Sequence, residues 1–239
     1  MPVTKAELDE IFPRPLIREV ACEIRFAPRL RVNPEVWRIQ DKLADDYPQL
    51  DQESVALAEG RLLQSYVFTN TTTNRIVKLS QENFAIIFNS YSSFEAFKEE
   101  ALRRIRDFSE LFEIQSFLRV GLRYVNHLDL PAENGIAKLQ TLVNAPVDYD
   151  RFEASRIEQF LTEFRLRAKY HRLTVRGFLL QVPGDPPMLK YLLDLDCYTT
   201  SPARPDNLSG LLDEFHTEIQ AQFLEHIREE CKQEMRKPR

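Results

Sequence analysis

The stretch FLRVGLRYVNHLDL, residues 117–130, constrains this chain more than any other. Leu118, Val120, Leu122 and Tyr124 fall on one side of it, and Arg119, Gly121 and Arg123 on the other. A period of two in Leu, Val and Tyr is the mark of a strand with two unlike faces. The apolar face needs a core. The other face carries two arginines with a glycine between them, which leaves room for something to approach. A fold that accepts this strand must cover one side of a sheet and leave charge on the other.

The remaining periodicities supply the cover. Residues 94–112 repeat Phe94, Phe97, Ala101, Leu102, Ile105, Phe108 and Phe112 at helical spacing, with Ser92 and Glu95 as a capping box. Residues 208–227 repeat Leu208, Leu211, Leu212, Phe215, Ile219, Phe223 and Ile227 in the same way. A shorter helix is predicted from Asn33 to Asp46, with Pro34 at its first position, stopped by Tyr47-Pro48. Its Trp37 should pack on the sheet. Strands are predicted at 19–26, 62–69, 75–80, 84–89, 156–170, 173–182 and 188–199, with turns at 70–74, 81–83 and 184–187.

These elements predict an α+β fold, a mainly antiparallel sheet with amphipathic helices on one face. Residues 1–14 read as an arm, 15–231 as one domain and 232–239 as a frayed tail. Two β-β-β-α halves, 15–130 and 151–231 joined by a connector at 131–150, would account for the repetition; an α+β domain that simply contains hairpins and helices would account for it as well. The connector has room for a short helix at 135–142.

Composition excludes several functions. With 32 basic and 37 acidic residues the net charge is −5, against the basic excess of a general nucleic-acid binder. Six glycines and no phosphate-loop pattern leave the common nucleotide motifs out. Cys22, Cys197 and Cys231 are scattered and odd in number, so buried thiols are expected rather than a disulfide framework. The charged start MPVTKAELDEIF is unlike a signal peptide, and no run reaches a membrane span, so a cytoplasmic protein is expected. His127, His171, His216 and His226 share no metal-ligand spacing. His216 and His226, ten residues apart on one helix, point about 80° apart around its axis. No metal, cofactor or catalytic residue is assigned.

The carboxylates offer more. Asp194 and Asp196 share one face of LLDLDCYTT. Together with Glu19, Glu23, Arg25, Arg119, Arg123, Glu163, Arg165, Arg167 and Arg176 they describe a charged sheet face. Such a face either pairs opposite signs across strands or receives an anion or a partner, with Arg119 and Arg123 as its forks. Tyr124 reads as packing and Asn126 as a strand-end residue. The run Arg103-Arg104-Ile105-Arg106, set among acidic residues, reads as a solvated helix face.

Three patches, PLIREVACEIRF (15–26), RVGLRYVNHLDLP (119–131) and LLDEFHTEIQAQF (211–223), together resemble a sporadically distributed family of uncharacterised bacterial and archaeal proteins of similar length. The resemblance implies one folded unit of prokaryotic origin and carries no activity. Two functions are therefore expected. The first is a non-enzymatic interaction module that binds another protein or a second copy of itself through a sheet face or edge; by analogy it would be an accessory of a mobile toxin–antitoxin or antiviral system. The alternative is a small-ligand or nucleotide-binding protein, or an unfamiliar enzyme, that uses Arg119, Arg123, Asp194, Asp196 and Glu23, with a pocket between the halves as the place to look.

Overall fold

The structure is a computed structural model that describes residues 3–8, 10–56, 62–131, 133–144, 157–183 and 188–238. The expected turn at 184–187 and residues 145–156 of the connector and next strand lie outside them.

The sheet has nine strands: β1 (Ile17–Arg25), β2 (Gln49–Ala56), β3 (Leu62–Asn70), β4 (Arg75–Ser80), β5 (Asn83–Phe88), β6 (Arg119–Pro131), β7 (Phe160–Arg167), β8 (His171–Val182) and β9 (Met188–Thr199). Their order is β2-β3-β4-β5-β1-β6-β9-β8-β7, and every neighbouring pair is antiparallel. Among the described residues there are six helices: α1 (Lys5–Leu8), α2 (Val36–Leu43), α3 (Phe94–Phe112), α4 (Gly135–Leu142), α5 (Leu208–His226) and α6 (Glu229–Arg236). The α+β architecture read from the periodicities is the one the chain adopts.

The two-faced segment is the sixth strand and lies mid-sheet. Val120, Leu122 and Tyr124 are buried beneath the helices, whereas Arg123 is exposed on the opposite face. Leu118 departs from the expected stripe. It is 54% exposed, because the strand begins at Arg119 and the chain before it turns Phe117, fully buried, into a bridge with Ala203.

Chain order groups β6 with the elements C-terminal to it. A strand, a helix, a run of hairpin-linked strands and a 19-residue helix occur first as β1-α2-β2-β3-β4-β5-α3 and then as β6-α4-β7-β8-β9-α5. The two leading strands pair at the centre, Val20 opposite Tyr124 and Cys22 opposite Leu122.

The helices form where the apolar stripe and the caps agree. Ser93, one residue later than expected, caps α3 by accepting the Ala96 amide at 3.2 Å. Phe97, Ala101, Ile105, Phe108 and Phe112 are buried, and Phe84 stacks on Phe108 with centroids 4.6 Å apart. Helix α3 packs on β5, α5 on β6 and β9, and the two helices touch.

Four expectations are corrected. The residues before α2 form a 3-10 turn, so Asn33 and Pro34 do not open the helix, which runs only from Val36 to Leu43. Trp37 is 57% exposed, because the buried stripe of α2 runs through Ile39 and Leu43. The tail does not fray at Lys232: Cys231 and Met235, four residues apart, bury one face of α6. Arg104 is not solvated but 2% exposed, held by Glu100 at 2.8 Å, the Lys42 carbonyl at 3.1 Å and Asp46. It ties α3 to the end of α2. Strand β2, sequence QLDQESVA, is an unexpected edge strand with no apolar alternation to reveal it. All three cysteines are buried and unpaired, as expected, and burial raises the Cys22 thiol to about 12.

Two glycines make opposite demands. A Cβ on Gly177 would lie 2.4 Å from the Tyr191 hydroxyl, itself pinned by His226 at 2.7 Å. A Cβ on Gly210, inside α5, would meet nothing within 4 Å. Gly177→Ala should cost about 1–3 kcal/mol through overpacking. Gly210→Ala should gain about 0.5–1 kcal/mol through helix propensity. Urea unfolding of the two variants checks both signs.

Candidate functional site

On the open face the five residues singled out from the sequence come together as ion pairs. The Arg123 guanidinium donates to both Asp194 oxygens, at 2.7 and 3.1 Å, and lies 3.7 Å from Glu19. Arg119 donates to Asp196 at 3.0 and 3.2 Å and to Glu23 at 3.2 Å, with its guanidinium 4.4 Å from the centroid of the Tyr198 ring. The ladder continues sideways. Arg176 bridges Glu163 at 2.6 Å and Asp194 at 3.2 Å; Arg25 meets Glu23, and Arg165 meets Glu163.

Register explains the ladder. Arg123 lies opposite Asp196 on β9 and reaches diagonally to Asp194, whereas Arg176 lies directly opposite both Asp194 and Glu163 and bonds them straight across. Gly121 provides the opening that the sequence suggests, and the chain's own Arg119 fills it. A Cβ there would sit 3.0 Å from an Arg119 nitrogen. Burial raises the Asp196 carboxyl against the pull of Arg119, while the Asp194 side chain is only 4% exposed. Arginines already committed in this way have little left for an incoming anion, which would have to displace a chelated carboxylate.

The helix face holds a different site. Between α3, α5 and the sheet lies a cavity of about 650 Å³. Its floor is Tyr124 and Asn126 of β6 with Leu195 of β9. One wall is the start of α3 with Tyr91 and Phe94; another is the α5 face from His216 to Leu224. The N-terminal arm, with Leu8, Phe12 and Leu16, closes the third side. Thr4 and Glu7 cap α1 reciprocally: a Glu7 carboxylate oxygen accepts from the Thr4 amide at 2.9 Å, and the Thr4 hydroxyl accepts from the Glu7 amide at 3.4 Å. The arm is then fastened to α6 by Glu7–Lys232 at 2.9 Å, Glu10–Arg236 at 2.6 Å and the Arg14 amide to the Met235 carbonyl at 3.0 Å.

For the polar groups of this cavity the sequence suggests only packing. The Tyr124 hydroxyl lies 2.9 Å from His216 Nδ1, and the Tyr91 ring packs edge-on against Tyr124 with centroids 5.7 Å apart. His216 stacks on Phe94, centroids 3.9 Å apart. Asn126 is not at a strand end: β6 runs five residues past it, and it is 1% exposed. Its amide nitrogen donates to the Leu193 carbonyl at 3.2 Å, and its Oδ1 has no partner among the described residues. A buried carbonyl oxygen without a donor is costly and uncommon. Asn126 is also one of the residues that line the cavity.

The titrations suit holding better than chemistry. Burial lowers His216 to about 4, and burial with the Tyr91 hydroxyl holds the Tyr124 phenol well above its ordinary 10. A general acid or base works best near the ambient pH, and neither group is tuned there. Among the described residues no cluster of His, Cys, Asp and Glu could hold a metal ion, and no helix is long and apolar enough to cross a membrane.

No protein-family model matches the chain, and no curated protein matches it. The three sequence patches thus remain a resemblance, and function has to be argued from geometry.

Both the ladder and the buried histidines can be tested by stability. Arg123→Ala leaves Asp194 buried with Arg176 alone; because Arg123 is itself 45% exposed, the loss should be about 1–3 kcal/mol. Gly121→Val, which evicts the Arg119 guanidinium, should also destabilise, and wild-type urea midpoints in both would show the ladder to be mere surface. Acid should act through histidine. His216 and His226 both sit at about 4 in the fold, lowered by burial, against about 6.5 unfolded. The unfolded chain then binds more protons, so stability falls as pH drops from about 7 towards 4, by up to about 1.4 kcal/mol per pH unit for each histidine. Asp46 and Glu100, whose folded values are lowered, contribute only nearer pH 4. Melting curves between pH 7.5 and 5 should show the loss, and His216→Gln with His226→Gln should flatten it.

Proposed function

We propose that this protein binds a small, largely apolar molecule in the cavity between α3, α5 and the sheet. The observation that carries this reading is the unpartnered Asn126 oxygen on the cavity floor, beside the Tyr124–His216 pair. A volume of about 650 Å³ falls within the usual range for small-molecule sites, which are mostly apolar with a few convergent polar groups. Leu16, Leu195, Ile219, Phe223 and Leu224 supply the apolar part.

The site differs from the one drawn from the sequence. Arg119, Arg123, Asp194 and Asp196 lie on the opposite face and act as a neutralised brace for the sheet. The interaction-module reading has weaker support. The edge strands carry exposed charges, Asp51 and Glu53 on β2 and Glu163, Arg165 and Arg167 on β7, and charge on an edge discourages strand addition.

Titration with N-phenyl-1-naphthylamine, an uncharged dye that brightens in apolar sites, tests the proposal. A saturable rise with one dye per chain is expected. Phe223→Trp and Leu16→Trp narrow the cavity and should each weaken binding by about tenfold, roughly 1.4 kcal/mol, with the melting temperature retained. A linear, unsaturable response, or equal affinity in both variants, would overturn it.

A further inference from the structure

The polar lining of the cavity specifies more than apolar contact. Its most buried polar atom without a partner is an acceptor. Asn126 Oδ1 is an unpartnered acceptor in a residue 1% exposed, and its amide nitrogen is already spent on the Leu193 carbonyl. Swapping the two amide atoms would set oxygen against oxygen at Leu193, so the unpartnered atom is the acceptor. The Tyr91 and Tyr124 hydroxyls, the latter already joined to His216, keep free lone pairs.

Charge points the same way. Glu95 lies at the start of α3 and lines the cavity; burial raises both tyrosine phenols, and the Glu95 carboxylate adds to it in the same direction. The N-terminus of α3 contributes only about half a positive charge and cannot cancel a full carboxylate. Lys5, on α1, is the cation among the lining residues, and it lies on the arm, not at the start of α3.

The tyrosine hydroxyls, His216 and Asn126 gather at the α3 end, whereas Ile219, Phe223 and Leu224 of α5 and Met235 of α6 line the other end, where Gln220 is bonded to the Leu8 carbonyl and Glu10 to Arg236. From His216 to Leu224 the helix rises about 12 Å. The space is thus a slot with a polar end and an apolar end.

Building on the binding reading above, we infer that the ligand is an elongated apolar molecule whose head donates hydrogen bonds and carries no negative charge, an amine or an alcohol. Its head sits against Asn126, Tyr124 and Tyr91 and its body runs along α5 towards Met235. A carboxylate head would bring a second negative charge to Glu95 and leave Asn126 Oδ1 unpaired, which a site whose unpartnered group is an acceptor rejects strongly.

Displacement of N-phenyl-1-naphthylamine by octylamine, octanol and octanoate at pH 7.5 separates the possibilities, since the three share a chain and differ only in the head. Octylamine and octanol should displace the dye, and octanoate should need at least about tenfold more. Asn126→Leu should erase most of that preference. Because burying leucine there can disturb the fold, Glu95→Gln, at an exposed position, gives an independent reading: the difference between octylamine and octanoate should shrink while octanol is unmoved. If the dye binds and the narrowing variants weaken it, yet octanoate displaces as well as octylamine or better, the head-group assignment fails and the binding reading stands. If the dye does not bind, both fall.

Discussion

A buried carboxylate at the middle of the sheet governs much of this molecule. Asp194 is on a central strand, its side chain is 4% exposed, and a charge so placed is tolerable only when chelated. Arg123 supplies two bonds and Arg176 a third. Those arginines come from the strands on either side of β9, so the chelate also fixes the register of β6 and β8 against it. Arg119 repeats the device one pleat along between Asp196 and Glu23, and so stitches β1 to β9 across the glycine gap of β6. The ladder spans the seam where the two series of elements meet. A sheet joined there by backbone bonds alone could slip, and a slip of one residue would bury the charges and expose Leu122 and Tyr124.

The opposite face of the same seam is where helices cannot fill space. Helix α3 closes the first series and α5 the second, and each packs over its own part of the sheet. The cavity lies where the start of α3, the face of α5 from His216 and the sheet meet. Its floor is whatever the central strand presents, here Tyr124 and Asn126. The cavity and the ion-pair ladder are thus the two sides of one architectural fact, the pairing of β1 with β6.

Burial on one face decides which elements are legible in the sequence. The strand at 119–131, the helices at 94–112, 135–142 and 208–226 and the hairpin at 62–80 can be read because each buries one face and keeps a clean period. Strand β2 cannot. An edge strand whose described side chains are all exposed has no reason to alternate, and QLDQESVA reads as a loop. Trp37 misleads because a lone aromatic says nothing about which helix face is buried. The charged residues are recognisable as one set, but their partners depend on register, which periodicity does not give. The cavity is least legible. Its walls come from the arm, from residues 91–95 and from residues 216–224, and Asn126 differs from an ordinary strand asparagine only by what packs around it. The capping box Thr4-Lys5-Ala6-Glu7 is the one local signal that the arm is an ordered element.

The arm also has the weakest hold of the three walls. Helix α1 is four residues long and has no buried residue, and its ion pairs to α6 are partly exposed, a class worth about 0–1 kcal/mol each. The α3 and α5 walls, by contrast, are set into the core through Phe97, Phe215 and Ile219, each of which would cost roughly 2–5 kcal/mol to withdraw. Local opening takes the lowest of these costs. A molecule entering the cavity therefore meets least resistance from the segment Lys5–Leu8, and the same ion pairs that order the arm limit how often it lifts.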